Sequence, residues 1–353
     1  MSRRKKDKSP LLHLGQRLKA ARKMAGMSME ELVKRAGRIV SKQSISKYEN
    51  GLMEPSPQIL LRLAEALGVK PSYFRQQARL QLSNLYFRQK SKLSRKEEAA
   101  IKYKALDYLE RYLDLEDKLG LHLSFKYKVK KKPLENIEDI EALVKKIRQD
   151  WGLGQAPIVN LLGLLEEKGI KVFMTPASGK FAGLTAQNGQ TQVIVVNSRH
   201  PLDRIRFTAS HELGHILCAF PEDIEDEEGL CHVFAGAFLL PGEVLKNILG
   251  QRRHKITLWE WQYIKETYGI SMQAAIHRAY ECGIISQNYF RVLIHQLRQK
   301  GWHKVEPFSY QGKEEASRFK RLLAFALAEG LLTPAEAKRI GGEELPQPLE
   351  ITA

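Results

Sequence analysis

The chain has 353 residues, more than one hydrophobic core usually serves, so we expect two or three domains of roughly 150 residues or fewer. Hydrophobic residues make up 43% and charged residues 27%, as in ordinary globular proteins. No stretch approaches the roughly 18 uninterrupted apolar residues of a membrane span. The basic N-terminus lacks the apolar run of a secretory signal, and three cysteines are too few for a disulfide framework. We therefore expect a reduced, cytoplasmic protein without membrane association.

The positive charge is concentrated in the first third of the chain. The net charge is +17, and residues 1–132 hold 32 Lys and Arg against 13 Asp and Glu, whereas residues 133–353 hold 25 and 27. This asymmetry predicts an N-terminal part that binds a polyanion and a near-neutral part with a different role. The alternative is a solvated basic surface that serves only solubility.

Five short helices are predicted in the first 74 residues. Their predicted ranges are 11–26, 28–37, 42–50, 56–67 and a fifth from 72 onward. Ser28 and Glu31 form a capping box, and Ser41 can cap the third helix. In that helix Ile45 and Tyr48 are three residues apart and can face inward. The residues left facing outward are Lys42, Gln43, Ser44, Ser46 and Lys47.

Three stretches in this region, LGQRLKAARKMAGMSMEEL, SISKYENG and PSPQILLRLAEALGV, resemble the Cro/C1-type (Xre) helix-turn-helix family over residues 11–74. The resemblance implies an all-α, five-helix, lambda-repressor-like domain that binds double-stranded operator DNA, with its third helix in the major groove. A homodimer is also expected from this class. Gln43 can bond adenine, Lys42 and Lys47 can reach phosphate or guanine, and Ser44 and Ser46 permit close approach. A protein-interaction module is the alternative.

The turn before this recognition helix departs from the family pattern. It reads Gly37 to Ser41, two residues longer than the usual Gly-Val-Ser. The extension could tilt the helix or add Arg38 as a phosphate contact.

The domain flanks are a basic tail, residues 1–10, and a helical connector, residues 75–132. The tail is either a solvated terminus or an arm that reaches the minor groove. The connector is predicted as two helices with a break at Lys90 to Leu93, the second begun by a capping box at Ser94, and then a basic stretch to Lys132. We expect a spacer that packs the two modules together, with a second nucleic-acid site as the alternative.

Residues 133–285 combine helices with strands. Helices are predicted over 138–150 and 158–168, and strands over 170–174, 181–185 and 192–197, an α+β arrangement. A helix with the sequence His211-Glu212-Leu213-Gly214-His215 follows, with Thr208 or Ser210 available as its N-terminal cap. Histidines four residues apart on a helix point the same way and can bind one zinc ion. Glu212 beside them can then act as the general base and acid for a metal-bound water.

A third zinc ligand is expected on the next helix. The run Glu222 to Glu228 has six acidic residues in seven and precedes an apolar helix that ends near Pro241. Glu228 is our candidate, because it lies at the start of that helix and would project toward the first. Glu227, Glu225 and His232 remain alternatives.

Residues 138–285 resemble the ImmA/IrrE family of zinc metallopeptidases. The matching stretches are DWGLGQAPIVNLLGLLEEKGIKVF, RFTASHELGHIL, the pattern from Glu228 to Pro241, and YGISMQAAIHRAYECGII. The resemblance implies a zincin-like (gluzincin) domain with two histidines and a glutamate on Zn²⁺, and cleavage of a repressor-type protein. Two departures are Cys231-His232 where the family usually has Ala-Asn, which could add a zinc ligand or a redox-sensitive thiol, and the lack of an acidic residue before Gly183.

The remaining residues, 286–353, are predicted as a helical C-terminal extension that packs onto the peptidase domain. Taken together, the sequence predicts a DNA-binding transcriptional regulator that carries a zinc-dependent peptidase and cleaves a repressor or antitoxin-type protein, in a stress response or on a mobile element. The alternative is a repressor or antitoxin whose peptidase-like domain is a non-proteolytic sensor.

Overall fold

The computed structural model describes residues 9–76, 80, 86–88, 93–127, 134–221 and 223–342. Four features singled out in the sequence lie wholly or mostly outside these residues: the charged tail 2–8, the predicted helix break at 90–93, the lysines at 128 and 130–132, and Glu222. The chain divides into two compact units. Residues 1–85, 92–121 and 326–353 form the first, and residues 86–91 and 122–325 form the second.

The described residues contain fifteen α-helices, a 3₁₀ helix and four strands. The helices are α1 (Ser9–Met24), α2 (Met29–Arg35), α3 (Lys42–Glu49), α4 (Pro57–Leu67), α5 (Arg95–Leu119), α6 (Ile137–Asp150), α7 (Leu161–Glu167), α8 (Leu202–Leu217), α9 (Glu227–Leu239), α10 (Gly242–Leu249), α11 (Leu258–Tyr268), α12 (Met272–Glu281), α13 (Gln287–Gln299), α14 (Arg318–Ala328) and α15 (Pro334–Gly341). The strands are β1 (Tyr86–Arg88), β2 (Lys171–Thr175), β3 (Gly183–Asn188) and β4 (Thr191–Asn197), and the 3₁₀ helix is Pro71–Arg75.

Helices α2 and α3 begin where their capping residues predict, whereas α1 begins at Ser9, two residues before its predicted start. Ser28 and Glu31 form a capping box at α2, and the side chain of Ser41 accepts a hydrogen bond from the Ser44 N–H at α3. The fifth predicted helix is the short 3₁₀ helix rather than an α-helix. A buried pair then fixes α3 against α1: Arg22 donates to both carboxylate oxygens of Glu49, at 2.5 and 2.8 Å. Bidentate pairing of this kind restricts the orientation of the helix as well as its position.

The connector prediction is wrong in two respects. Residues Tyr86–Arg88 form a strand rather than a helix, and Tyr and Phe favour strands when an edge is available for pairing. Helix α5 is also not a separate spacer, because it belongs to the first unit and packs on α1. Arg17 of α1 and Glu110 of α5 form a buried ion pair at 2.5 Å.

The C-terminal extension is likewise not one piece. Residues up to 325 belong to the second unit, and the rest belong to the first. Helix α15 packs on α5, where Arg111 donates to the carbonyl of Ile340 at 2.8 Å and Arg339 pairs with Asp114 at 3.2 Å. The prediction that the whole extension packs onto the peptidase domain is therefore wrong for its last part, because α15 finds its apolar and polar partners on α5.

The second unit is an α+β domain around a four-stranded sheet of order β1-β3-β4-β2. Strands β2 and β4 are parallel, and β3 is antiparallel to both of its neighbours. The three predicted strands are confirmed, with β3 beginning at Gly183 rather than residue 181. Buried side chains of the sheet and of α6 to α13 form one core.

Two buried arginines hold α9 in this core. Arg148 of α6 donates to the carbonyl of Phe238 at 2.5 Å, and Arg278 of α12 donates to that of Leu240 at 3.3 Å. Both bonds satisfy carbonyls at the C-terminus of α9, where a helix lacks internal donors.

Among the described residues, no single helix is long and apolar enough to cross a bilayer. Helices α9 and α10, bent by 61° relative to each other, reach the required length and composition only as a pair.

Candidate metal centre and DNA-binding surface

The histidine pair lies on the C-terminal half of α8. The helix begins at Leu202, so the predicted cap at Thr208 or Ser210 is wrong, because both residues lie inside the helix. The apolar side chains of Ile205, Ala209 and Leu213 recur every four residues and are buried. This stripe anchors the helix in the core. The neighbouring face carries His211 and His215.

Three side chains converge between α8 and α9. The Nε2 atoms of His211 and His215 are 3.2 Å apart. A carboxylate oxygen of Glu228 lies 3.4 Å from Nε2 of His211, and the other lies 3.6 Å from Nε2 of His215. One ligand atom from each of the three residues lies within 4.8 Å of the other two. Within the described residues, this is the one group of three His, Cys, Asp or Glu side chains that could hold a metal ion.

The alternatives for the third ligand occupy other places. Glu227 lies on the opposite side of the His215 ring, with a carboxylate oxygen 3.1 Å from Nδ1. Glu225 is exposed to solvent. The ring of His232 lies against that of His211, with centroids 4.5 Å apart, and stacks on Phe207 at 5.9 Å.

Glu227 gives His215 a defined hydrogen-bonding role that the sequence alone did not indicate. A carboxylate accepts only, so the proton of the imidazole is placed on Nδ1 and the lone pair of Nε2 is left toward His211 and Glu228. Cys231 is buried, with its Sγ 3.4 Å from the same Nδ1 atom, and so lies away from the converging Nε2 atoms. Burial raises the pKa of the Cys231 thiol well above its ordinary value.

Glu212 is buried behind the histidines, against the sheet. Burial, with a smaller contribution from the charge of Glu228, raises the pKa of the Glu212 carboxyl to about 8. Its Oε2 has no hydrogen-bond partner within the described part of the chain. Gly183 of β3 makes room for it, because a Cβ there would lie 3.1 Å from Oε1 of Glu212 and 2.6 Å from the Thr208 methyl.

His211 is held in the neutral form required of a ligand. Burial, assisted by the neighbouring His232 and His215 rings, lowers the pKa of His211 to about 3. Nδ1 of His211 is buried and has no partner among the described residues.

A cleft of about 1730 Å³ lies beside this group. Phe207 of α8 and His232 of α9 line it, and its outer wall is the segment 302–311 that follows α13. The extension therefore contributes to this cleft, which the sequence did not reveal.

Two buried charge pairs fasten this wall to α8 and its neighbours. Glu314 pairs with Arg206, which lies on α8 and donates to the carbonyl of Gly269 at 3.1 Å. Glu306 pairs with Lys265 at 2.7 Å, and Lys265 also reaches Asp203 at the start of α8 at 2.5 Å. No sequence spacing links these positions, so they could not be found without the fold.

In the first unit, α3 presents the predicted DNA-contacting side chains. Ile45 and Tyr48 are buried, as predicted, at 0% and 4% exposure. Lys42, Gln43 and Lys47 are exposed, and Ser44 and Ser46 are partly exposed. Lys42 pairs with Glu30 of α2.

The longer turn is built on left-handed backbone. Gly37 has φ 75° and Arg38 has φ 57°, the one positive φ at a non-glycine residue among those described. The Arg38 side chain is exposed. Arg38 thus adopts a conformation that arginine rarely adopts.

Comparison with known families identifies both domains. Residues 18–74 match the family model described as helix-turn-helix, and residues 165–280 match the model described as IrrE N-terminal-like domain. A search of curated proteins found no match. The chain is therefore a fusion of a Cro/C1-type helix-turn-helix domain with an IrrE N-terminal-like peptidase-family domain.

Proposed function

We propose that this chain is a transcriptional regulator that binds operator DNA and carries an active, zinc-dependent endopeptidase, which cleaves a repressor or antitoxin-type protein. The observation that carries the proposal is the convergence of His211, His215 and Glu228 within 4.8 Å, with Glu212 buried beside them. The repressor-type substrate is inferred from the family resemblance and from the fusion to a DNA-binding domain.

The residues present fit a zinc ion. Two imidazole nitrogens and one carboxylate are a ligand set that zinc uses in catalytic sites, which retain an open position for water or substrate. The hydrogen bond between Glu227 and Nδ1 of His215 supports the same assignment, since metal-bound histidines usually donate their second N–H to a carboxylate. Bound there, zinc would supply a Lewis acid for the scissile carbonyl and for water.

The protein's own contribution is to place a carboxylate where a proton has to move. Oε2 of Glu212 is buried without a partner among the described residues, and in its ionised form this carboxylate would take a proton from water and deliver it to the leaving amine. Gly183 packs against that carboxylate from the side of the sheet. The low-dielectric surroundings strengthen each of these interactions.

The cleft beside the histidines has room for the side chains of a polypeptide. Phe207, Trp302 and Phe308 give it apolar surface near His232. A peptide substrate bound there would lie against His232, whose ring is next to that of His211. This arrangement supports a protein substrate over a small molecule.

The DNA-binding half of the proposal rests on the exposed face of α3. Gln43 would read a base edge, Lys42 and Lys47 would contact phosphate or guanine, and Ser44 and Ser46 would lie close to the groove. The Arg22 and Glu49 pair holds this face in a fixed orientation.

The test compares Glu212→Gln with the wild-type chain in cells, by mass spectrometry of protein N-termini. The wild type should generate new N-termini in a repressor or antitoxin-type protein, and Glu212→Gln should not, while both bind zinc and operator DNA. Glu225→Gln is the matched control, because Glu225 is an exposed acid outside the converging group. Identical N-termini and identical gene regulation by the wild type and Glu212→Gln would instead favour the non-proteolytic sensor.

A further inference from the structure

Strand β3 is the part of the sheet that touches the proposed general base. Its first residue, Gly183, packs directly against Thr208 and Glu212 of α8. One edge of β3 pairs with β4. The other edge pairs with β1, a three-residue strand from the segment that follows the 3₁₀ helix.

The register of β1 on β3 shows the direction in which β1 runs. Tyr86 lies opposite Gln187, Phe87 opposite Ala186, and Arg88 opposite Thr185. Because the pairing is antiparallel, β1 runs along β3 toward Gly183. Thr185 is two residues from Gly183, which is about 7 Å along a strand. A chain extended on this edge therefore runs toward Glu212.

Such an edge binds backbone rather than a particular sequence. Its N–H and C=O groups can pair with any extended polypeptide, which adds a strand to the sheet. The other outer strand, β2, is separated from β3 by β4 and so offers no edge next to Gly183. A peptide that enters the site in extended form thus finds its pairing edge on β3.

We propose that β1 occupies the outer edge of β3 in competition with an extended segment of the substrate. The identification of that segment as a substrate rests on the proposed peptidase function. The competition itself rests on the pairing of β1 with β3. Three paired residues form a short ladder that a longer peptide can displace.

The position of β1 in the sequence gives the competition a consequence. The strand lies between residues 1–85 and 92–121, both of which belong to the DNA-binding unit. Displacement of β1 by a peptide would release from the sheet a segment that is covalently continuous with that unit on both sides.

The first experiment locks β1 in place. Tyr86→Cys with Gln187→Cys puts cysteines at directly opposed positions, and Glu212→Gln in the same chain prevents cleavage of the probe. The probe is a fluorescein-labelled peptide with the sequence of residues 84–92, followed by fluorescence anisotropy. Oxidation of the cysteine pair should weaken peptide binding at least about tenfold, and reduction should restore it.

A matched control places a disulfide between β3 and β4, on the other side of β3. Asn188→Cys with Thr191→Cys are opposed across β3 and β4, and this lock should leave peptide binding unchanged. Equal affinity of the oxidised and reduced β1 lock, or no binding of the peptide to any form, would overturn the proposal. Since the readout is binding by a Glu212→Gln chain, a failure of the peptidase activity does not alter the result.

A second measurement needs no introduced cysteine. Hydrogen exchange in the Glu212→Gln chain, with and without saturating peptide, should show faster exchange at residues 86–88 and continued protection of β3. Unchanged exchange at residues 86–88 on peptide binding would contradict displacement of β1.

Discussion

Glu227 and His215 are joined through the ring nitrogen that does not face the proposed metal: the Glu227 carboxylate lies 3.1 Å from Nδ1, whereas Nε2 lies 3.6 Å from Glu228. The two adjacent glutamates at the start of α9 thus approach opposite sides of one imidazole. One is placed to bind the metal, and the other is placed to fix the ring that binds it.

Glu227→Gln should weaken zinc binding about 10- to 100-fold, because the neutral amide stabilises the ring orientation and the Nδ1 proton less than a carboxylate does. Competition with a chromophoric chelator measures the zinc affinity. Glu225→Gln is the control and should match the wild type. Equal zinc affinity of Glu227→Gln and the wild type would remove the proposed role of Glu227.

Gly183→Ala should reduce cleavage about 100-fold, because the added Cβ would contact Thr208 at 2.6 Å and Glu212 at 3.1 Å and displace the carboxylate. Overpacking should also lower the free energy of unfolding by about 1–3 kcal/mol. Peptide cleavage and urea denaturation measure the two effects. Gly179→Ala is the control, since a Cβ there meets nothing within 4 Å. Wild-type cleavage by Gly183→Ala would show that this packing does not position Glu212.

Glu166 should make the protein less stable as the pH rises from about 4.5 to 7. Burial raises the pKa of its carboxyl to about 7, although the Arg318 N–H donates to Oε2 at 2.8 Å. The folded chain therefore holds a proton that the unfolded chain has already released in this window, and the free energy of unfolding falls as pH rises.

Glu166→Gln should remove about 1–3 kcal/mol of that pH dependence, measured by urea denaturation at pH 5 and pH 8. Glu167→Gln is the matched control, because Glu167 is the exposed neighbour on the same helix. The same slope of stability with pH in Glu166→Gln and the wild type would refute the assignment.

Two substitutions on α3 should separate base recognition from phosphate contact. Gln43→Ala should relax sequence preference by about 1–3 kcal/mol, because the bidentate bond to a base edge is lost. Lys47→Ala should weaken binding to all sequences and make the slope of log affinity against log salt shallower by about 1. Fluorescence anisotropy over a salt series distinguishes the two, and identical behaviour of both variants would contradict the assignment of α3.

Helix boundaries and helix faces that depend on nearby residues could be predicted from the sequence. Capping serines, the spacing of Ile45 and Tyr48, and the four-residue spacing of His211 and His215 predicted helices and faces that the structure confirms. The start of α8 was misplaced because Pro201, which carries no capping side chain, precedes the helix instead of Thr208 or Ser210.

Contacts between residues far apart in the sequence could not be predicted from it. Arg206 and Glu314 are 108 residues apart, and Arg111 binds the carbonyl of Ile340 across 229 residues. The sequence predicts a helix at Tyr86–Arg88, because nothing local indicates that its pairing partner, β3, lies about 100 residues later. The position of Glu227 next to Glu228 in the sequence indicates that Glu227 lies near the site. Only the fold shows that its carboxylate approaches Nδ1 of His215.

The most direct test of the metal centre is the zinc content of the purified chain. Inductively coupled plasma mass spectrometry should find about one zinc per chain in the wild type and almost none in His211→Ala, with far-UV circular dichroism confirming that the variant is folded. A wild-type chain purified without chelator that contains no zinc, or a folded His211→Ala chain that keeps it, would contradict the site formed by His211, His215 and Glu228.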